Sequence, residues 1–260
     1  MNLKNIFIIC IVVGIASILV SGVLYSLGGN ELFKVQDSYK DTAYGETIKK
    51  EETIENIKLI KVKTNVANIN FKYTDEDTLK LELRNPIEQS EKPIKINKNK
   101  DTLTLDINDV ERRISFGIGR NFKSMKDCVL DISIPNKYKG DIDISSDVGN
   151  IKGEYAGKKL KLSTDVGNID VEVNEIESGD ISTDVGNVKV KIKEDINLTL
   201  DLKTELGKIK NNLKNIKNVN NNSDVDNDFI GLSQDIKLDV NKGGSLIKIK
   251  SDVGNISLYN

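Results

Sequence analysis

The chain has 260 residues, with 38 Lys and Arg against 40 Asp and Glu, and it holds neither histidine nor tryptophan. The near-cancelling charge argues against a nucleic-acid binder, which needs a basic face. The missing histidine removes the commonest general base and transition-metal ligand, and the two cysteines, Cys10 and Cys128, offer no disulfide framework.

The first element is an uncharged run of 22 residues, Ile6 to Leu27. As a helix at ~1.5 Å per residue it would reach about 33 Å, enough to cross a hydrocarbon core of about 30 Å. The run exceeds the usual secretory apolar region, so residues 1–28 read as an uncleaved signal-anchor, with a cleaved signal peptide as the rival. Tyr25 lies near its outer end, where aromatic residues favour the interface. That layout places the N-terminus inside and the rest outside a bacterial cytoplasmic membrane as a single-pass protein. Cys10 is a poor lipid-attachment site, because Phe7, Ile8 and Ile9 before it are not small. Residues 29–50 are polar and without clear periodicity, and read as a stalk.

From residue 51 to 260 the sequence predicts strands. Leu79–Leu83, Thr102–Ile107 and Cys128–Ile134 alternate apolar and polar residues, and Pro135 suits a strand exit. Between the last two, residues 110–127 break the pattern. They carry three of the four arginines, Arg112, Arg113 and Arg120, interleaved with Phe116 and Phe122. Arginine mixed with aromatics suits an interaction loop; a hairpin excursion folding back on the body is the plainer reading.

A repeat then decides the fold. Ile144–Ile151, Leu162–Ile169 and Ile181–Val188 share Ser/Thr-Asp-Val-Gly-Asn, and Leu202–Ile209 and Ile249–Ile256 are further copies. Val62–Ile69 is a degenerate one. The acidic position falls at 147, 165, 184, 205 and 252, spacings of 18, 19, 21 and 47. The last gap suits two coils plus an insertion within the Asn-rich stretch 211–227. Period-2 alternation up to Val148 predicts a strand, and the jump to Ile151 predicts a corner at Gly149-Asn150. Equivalent corners fall at Gly167-Asn168, Gly186-Asn187, Gly207 and Gly254-Asn255.

The whole reads as an all-β, single-stranded β-solenoid, a β-helix-like stack of coils about 18–21 residues long. Parity points Val148, Val166, Val185, Leu206 and Val253 inward as one apolar ladder, and Ile151, Ile169, Val188, Ile209 and Ile256 as another. It also points the hydroxyls of Ser146, Thr164, Thr183, Thr204 and Ser251 inward. The corner asparagines form an amide ladder, broken at Lys208, where the fourth copy should loosen. The acidic residues read either as turn punctuation bonding the backbone or as a row of carboxylates for cations or a basic partner. Asp224, Asp226, Asp228 and Asp235 imitate part of a calcium loop, but Phe229 stands where the turn needs Gly, so the stretch reads as a solvated loop.

Val129–Pro135, Gly140–Ile151 and the later Gly-Asn-Ile copies resemble the bacterial β-strand repeat domains called toast-rack domains, which carry an adhesin label. The resemblance covers about residues 50–260. Single-span members resemble the membrane-anchored component of cell-envelope stress operons, and this chain departs from wall-displayed adhesins in having no wall-sorting signal. The resemblance implies a non-enzymatic, extracytoplasmic binding or envelope-stress accessory module. Its expected partners are the membrane and an envelope protein or wall polymer, with no nucleic acid. The alternative is a self-associating β-solenoid scaffold. No catalytic, cofactor or metal residue is assigned.

Overall fold

A computed structural model describes residues 47–84, 94–107, 128–221 and 233–260. The signal-anchor, most of the stalk, the 110–127 loop and Asp224–Asp228 of the calcium-like stretch lie outside the described residues. All described residues belong to one compact unit, Tyr44–Arg112 with Lys126–Asn260.

The described elements are all strands. In chain order they are β1 (Thr47–Glu52), β2 (Leu59–Val66), β3 (Asn68–Thr74), β4 (Leu79–Arg84), β5 (Lys95–Asn99), β6 (Thr102–Ile107), β7 (Val129–Pro135), β8 (Asp141–Val148), β9 (Ile151–Ala156) and β10 (Lys159–Val166). There follow β11 (Ile169–Glu175), β12 (Ser178–Val185), β13 (Val188–Ile192), β14 (Leu198–Leu206), β15 (Ile209–Asn212), β16 (Ile216–Asn221), β17 (Gln234–Val240), β18 (Ser245–Val253) and β19 (Ile256–Tyr259). Residues 47–50, read from the sequence as the end of the stalk, form part of β1 and pair antiparallel with β4.

Each repeat supplies one strand to each of two sheets. One sheet runs β1-β4-β7-β3-β9-β11-β13-β19-β15, and the other runs β16-β17-β14-β18-β12-β10-β8-β2-β6-β5. The middle of each sheet is parallel; the second sheet is antiparallel at both ends, and the first only at its β1-β4-β7 end, the β19-β15 end being parallel. Alternate side chains meet between the sheets: Ile142, Ile144, Leu160, Leu162 and Ile181 from one, Ile151, Ile169, Val171, Val188 and Val190 from the other, all buried. Fully burying one such side chain is worth about 1.5–3 kcal/mol, and the rows form one continuous core.

The strands do not stack in chain order. The last copy, β18–β19, lies between the third copy, β12–β13, and the fourth, β14–β15, in both sheets. This corrects the reading of the 47-residue gap as two further coils plus an insertion: residues 216–221 and 234–240 instead form β16 and β17, antiparallel strands added beyond β14. The outward charges explain the order. One row across seven strands reads Lys61, Asp143, Lys161, Asp180, Lys248, Asp201 and Lys237, each opposite its neighbour in register. Lys61 and Asp143 pair at 3.0 Å. Stacking in chain order would set Asp201 against Asp180, and like charges directly opposite destabilise a sheet.

Candidate functional site

Among the described residues six bends join the second sheet to the first along one edge: β2 to β3, β8 to β9, β10 to β11, β12 to β13, β18 to β19 and β14 to β15. At ~4.8 Å per strand the six span about 24 Å. The backbone ties each bend to the next: Gly149 N–H donates to Val166 O at 2.9 Å, Gly167 to Val185 O at 3.0 Å, Gly186 to Val253 O and Gly254 to Leu206 O, both at 2.9 Å.

Ala67 takes the corner position in the β2-to-β3 bend, and glycine is required at four of the others for two reasons. Gly149, Gly167, Gly186 and Gly254 have φ of +150°, +158°, +158° and +152°, a region side chains avoid. A Cβ at Gly167 would also sit on the carbonyl of Gly149, and one at Gly186 on that of Gly167. Gly207, at the end of the stack, would meet the carbonyl of Gly254 in the same way.

The asparagines carry a second row of bonds. Asn150 Nδ2 donates to Asn68 Oδ1 at 3.0 Å, Asn168 to Asn150 at 3.1 Å, Asn187 to Asn168 at 3.2 Å and Asn255 to Asn187 at 3.2 Å. Each of those oxygens also accepts the next backbone N–H, at 2.8–2.9 Å. Lys208 does not interrupt the row. Because the last copy intercalates, Lys208 stands at its end, where its backbone N–H donates to Asn255 Oδ1 at 2.9 Å.

The hydroxyl row is buried, and it overturns the expectation for the valines. Thr164 Oγ1 donates to Gly149 O at 3.0 Å, Thr183 to Gly167 O at 2.9 Å, Ser251 to Gly186 O at 2.8 Å and Thr204 to Gly254 O at 2.9 Å. Hydroxyl and backbone thus fill the inside of these four bends, while Thr64 and Ser146, at the equivalent place in the first two, are buried without such a bond among the described residues. Val148, Val166, Val185, Val253 and Leu206, expected inside, point out instead with 45%, 48%, 48%, 44% and 53% of their surface exposed. Strand alternation ends one residue earlier than parity implied: Ser146 pairs Thr164 and Val148 pairs Val166, with the acidic position skipped. A valine held between Asp and Gly was the available signal, since both neighbours belong on a surface turn. The other expected ladder behaves differently, with Ile151, Ile169, Val188 and Ile256 fully buried and Ile209, on the edge strand, half-buried.

Beside the valines run the acidic residues. Asp147, Asp165 and Asp184 are exposed and form no bond with the described residues, so turn punctuation through a backbone bond does not hold for them. Asp252 pairs with Lys250 at 2.7 Å, and that bond holds the Lys250 ammonium above its usual range, with Glu205 and Asp184 adding to the effect. Among the described residues no cluster of Cys, Asp and Glu is arranged to hold a metal. Asp235 sits in β17 opposite Lys203.

Two other regions were candidates. The outer face of the first sheet is a mosaic of cross-strand ion pairs, Arg84–Asp131 at 2.6 Å, Lys191–Glu172 at 3.1 Å and Lys49–Glu82 at 3.5 Å. Elsewhere the hydroxyls of Tyr73, Tyr138 and Tyr155 meet main-chain carbonyls: Ala156 O at 3.3 Å, Asp141 O at 2.7 Å and Gly140 O at 3.2 Å. Burial pushes the Tyr73 phenol up to about 12 and raises the other two as well. Arg112, Arg113, Phe116, Arg120 and Phe122 fall outside the described residues, although the chain leaves for them at Ile107 and returns at Cys128.

The described residues thus define an all-β, two-sheet repeat domain whose bends line one edge with carboxylate, valine and asparagine rows. The chain belongs to the Toastrack DUF4097 family, whose model matches residues 57–259. A comparison with curated proteins gives no match. Among solved structures, a "putative cell adhesion protein" from Clostridium sporogenes shares the fold at a TM-score of 0.62 and 17% identity, covering 83% of this chain and 99% of that one. A "putative adhesin" from Bacteroides fragilis aligns at a TM-score of 0.28 and 12% identity, covering 82% and 97%.

Proposed function

We propose that this protein is a non-enzymatic binding module of the bacterial cell envelope. The 6–27 segment anchors it in the cytoplasmic membrane, and the repeat domain presents its bend edge outside the membrane to an envelope protein or wall polymer. One observation carries this reading: five apolar side chains, spaced one strand apart, stand exposed in a single row. Scattered exposed apolar residues are normal, but a contiguous row marks an interaction site. The exposed carboxylates of Asp147, Asp165 and Asp184 beside that row favour a partner with cationic groups next to an apolar strip. Adhesion is named for the Clostridium sporogenes protein that shares the fold, and the expected accessory role at the envelope agrees with it. Among the described residues the most strongly shifted groups are the buried Tyr73, Tyr138 and Tyr155, whose hydroxyls meet backbone carbonyls, a pattern of structure rather than of acid–base work. The Arg112–Phe122 loop is a second contact in this proposal.

The competing reading is end-to-end stacking into a scaffold. Lysines on the outermost strands oppose it at one end: Lys49 and Lys50 on β1, and Lys95 and Lys98 on β5, are all exposed. Edge lysines discourage strand pairing between molecules.

Replacing Val148, Val166 and Val185 together with Ser tests the proposal. The full chain should lose crosslinking to its envelope partner, or sedimentation with purified wall material, while its thermal unfolding barely moves. Unchanged binding to both would refute the edge as the site.

A further inference from the structure

The insertion of β18–β19 between the third and fourth repeats leaves a feature that the binding edge does not use. The connection from β13 to β14, residues 193–197, steps past one strand position in each sheet. It leaves β14 about 9.6 Å from β12, two strand spacings. The third and fourth repeats therefore pair with each other nowhere, and each instead pairs with the segment between them.

That slot is a built site for an extended segment of defined pattern. Ile247, Ile249, Ser251, Ile256 and Leu258 are buried in it at 0–1% exposure. Lys248 lies between Asp180 and Asp201. Asn255 continues the amide row from Asn187 and passes it to Lys208. Closing the empty slot by pairing β12 with β14 would bring Asp180 onto Asp201 and Asp184 onto Glu205, so the slot resists collapse without its occupant.

The hinge feeding the occupant is short and left-handed. Asn241–Gly244 joins β17 to β18 across the intervening β14, with φ of +57° at Asn241, +71° at Gly243 and +155° at Gly244. Asn241 Nδ2 donates to Glu194 O and Ile196 O at 2.9 and 2.8 Å, pinning the turn to the same connection that opens the slot. A short connection of this kind favours exchange of an element between copies, because it can extend toward a second copy while every strand contact is kept.

We infer that this slot is a strand-exchange site, and that Ser245–Tyr259 of a second copy of the chain fills it reciprocally. Main-chain pairing on both sides gives the affinity and the Asp180–Lys248–Asp201 row gives the selectivity. This inference is independent of the bend edge: a swapped pair retains every residue of that edge.

The test uses the full chain in mild detergent and a fluorescent synthetic peptide covering Gly243–Asn260. The two are held in urea just below the unfolding transition, returned to buffer and separated by gel filtration. The wild-type peptide should be retained by the chain, and a peptide carrying Lys248→Glu roughly tenfold less, since it sets a third carboxylate between two others. The same treatment at high chain concentration should give dimers that excess wild-type peptide suppresses. Inserting four Gly and Ser residues after Gly243 should lower the dimer fraction. Failure to retain the wild-type peptide, equal retention of both peptides, or absence of dimers would each overturn the inference.

Discussion

Gly167 and Val166 are adjacent, and the structure assigns them opposite sensitivities. Gly167→Ala places a Cβ against the Gly149 carbonyl at a φ of +158°, and should cost about 2–3 kcal/mol of stability in a urea unfolding midpoint. Val166→Ser, on a side chain 48% exposed, should cost less than about 0.5 kcal/mol. Ile169→Ala, three residues on and fully buried, should cost about 2–5 kcal/mol. If Val166→Ser proved as costly as Ile169→Ala, the valine row would belong to the core after all. The glycine, the asparagine and the buried isoleucine could be read from the sequence, because each follows from local backbone chemistry. The outward valine could not be read by parity, since the threonine hydroxyl that fills the bend reaches a glycine in the neighbouring repeat. A bond between repeats leaves no mark on strand periodicity.

At the scale of the strand, two kinds of row hold the repeats in register. The amide row is local: Asn187 Oδ1 accepts both the backbone N–H and the Nδ2 of Asn255. Asn187→Ala should therefore cost about 1–2 kcal/mol, measured by denaturant unfolding. The charge row is longer in reach and weaker per pair. Lys248→Glu should destabilise by about 1–2 kcal/mol at low salt, with much of the loss recovered in high salt, because the row is solvent-exposed and screened. A loss insensitive to salt would place its cause in packing. The strands at Leu79–Leu83, Thr102–Ile107 and Cys128–Ile134 and those of the repeats were legible, while β5, β16 and β17 were not. Their order was not: chain order is the natural default, and only the full register shows Lys248 completing an alternation that Asp180 and Asp201 leave open.

For the whole molecule, absence of histidine and burial of three phenols shape the response to pH. Tyr73 is neutral when protonated, and burial raises its folded value to about 12 from an ordinary 10. A raised value stabilises the fold below pH 10, and that contribution fades as pH climbs from about 10 to 12. Tyr138 and Tyr155 shift in the same direction. Unfolding midpoints followed across the alkaline range should fall, and Tyr155→Phe should make the fall shallower by removing one phenol that must ionise on unfolding. An unchanged slope would mean that the Tyr155 hydroxyl is not held in its neutral form. The stability of the stack thus rests on buried rows, which leaves the exposed row at the bends free for recognition.

That division can be tested by placing a photo-crosslinking amino acid at single positions of the full chain in living cells. At position 166 or 185, on the valine row, irradiation should give a discrete adduct, and at position 161, on the ion-paired face of the same strand set, it should give none. Absence of any adduct at 166 and 185, or an equal adduct at 161, would contradict the bend edge as the surface through which this protein binds.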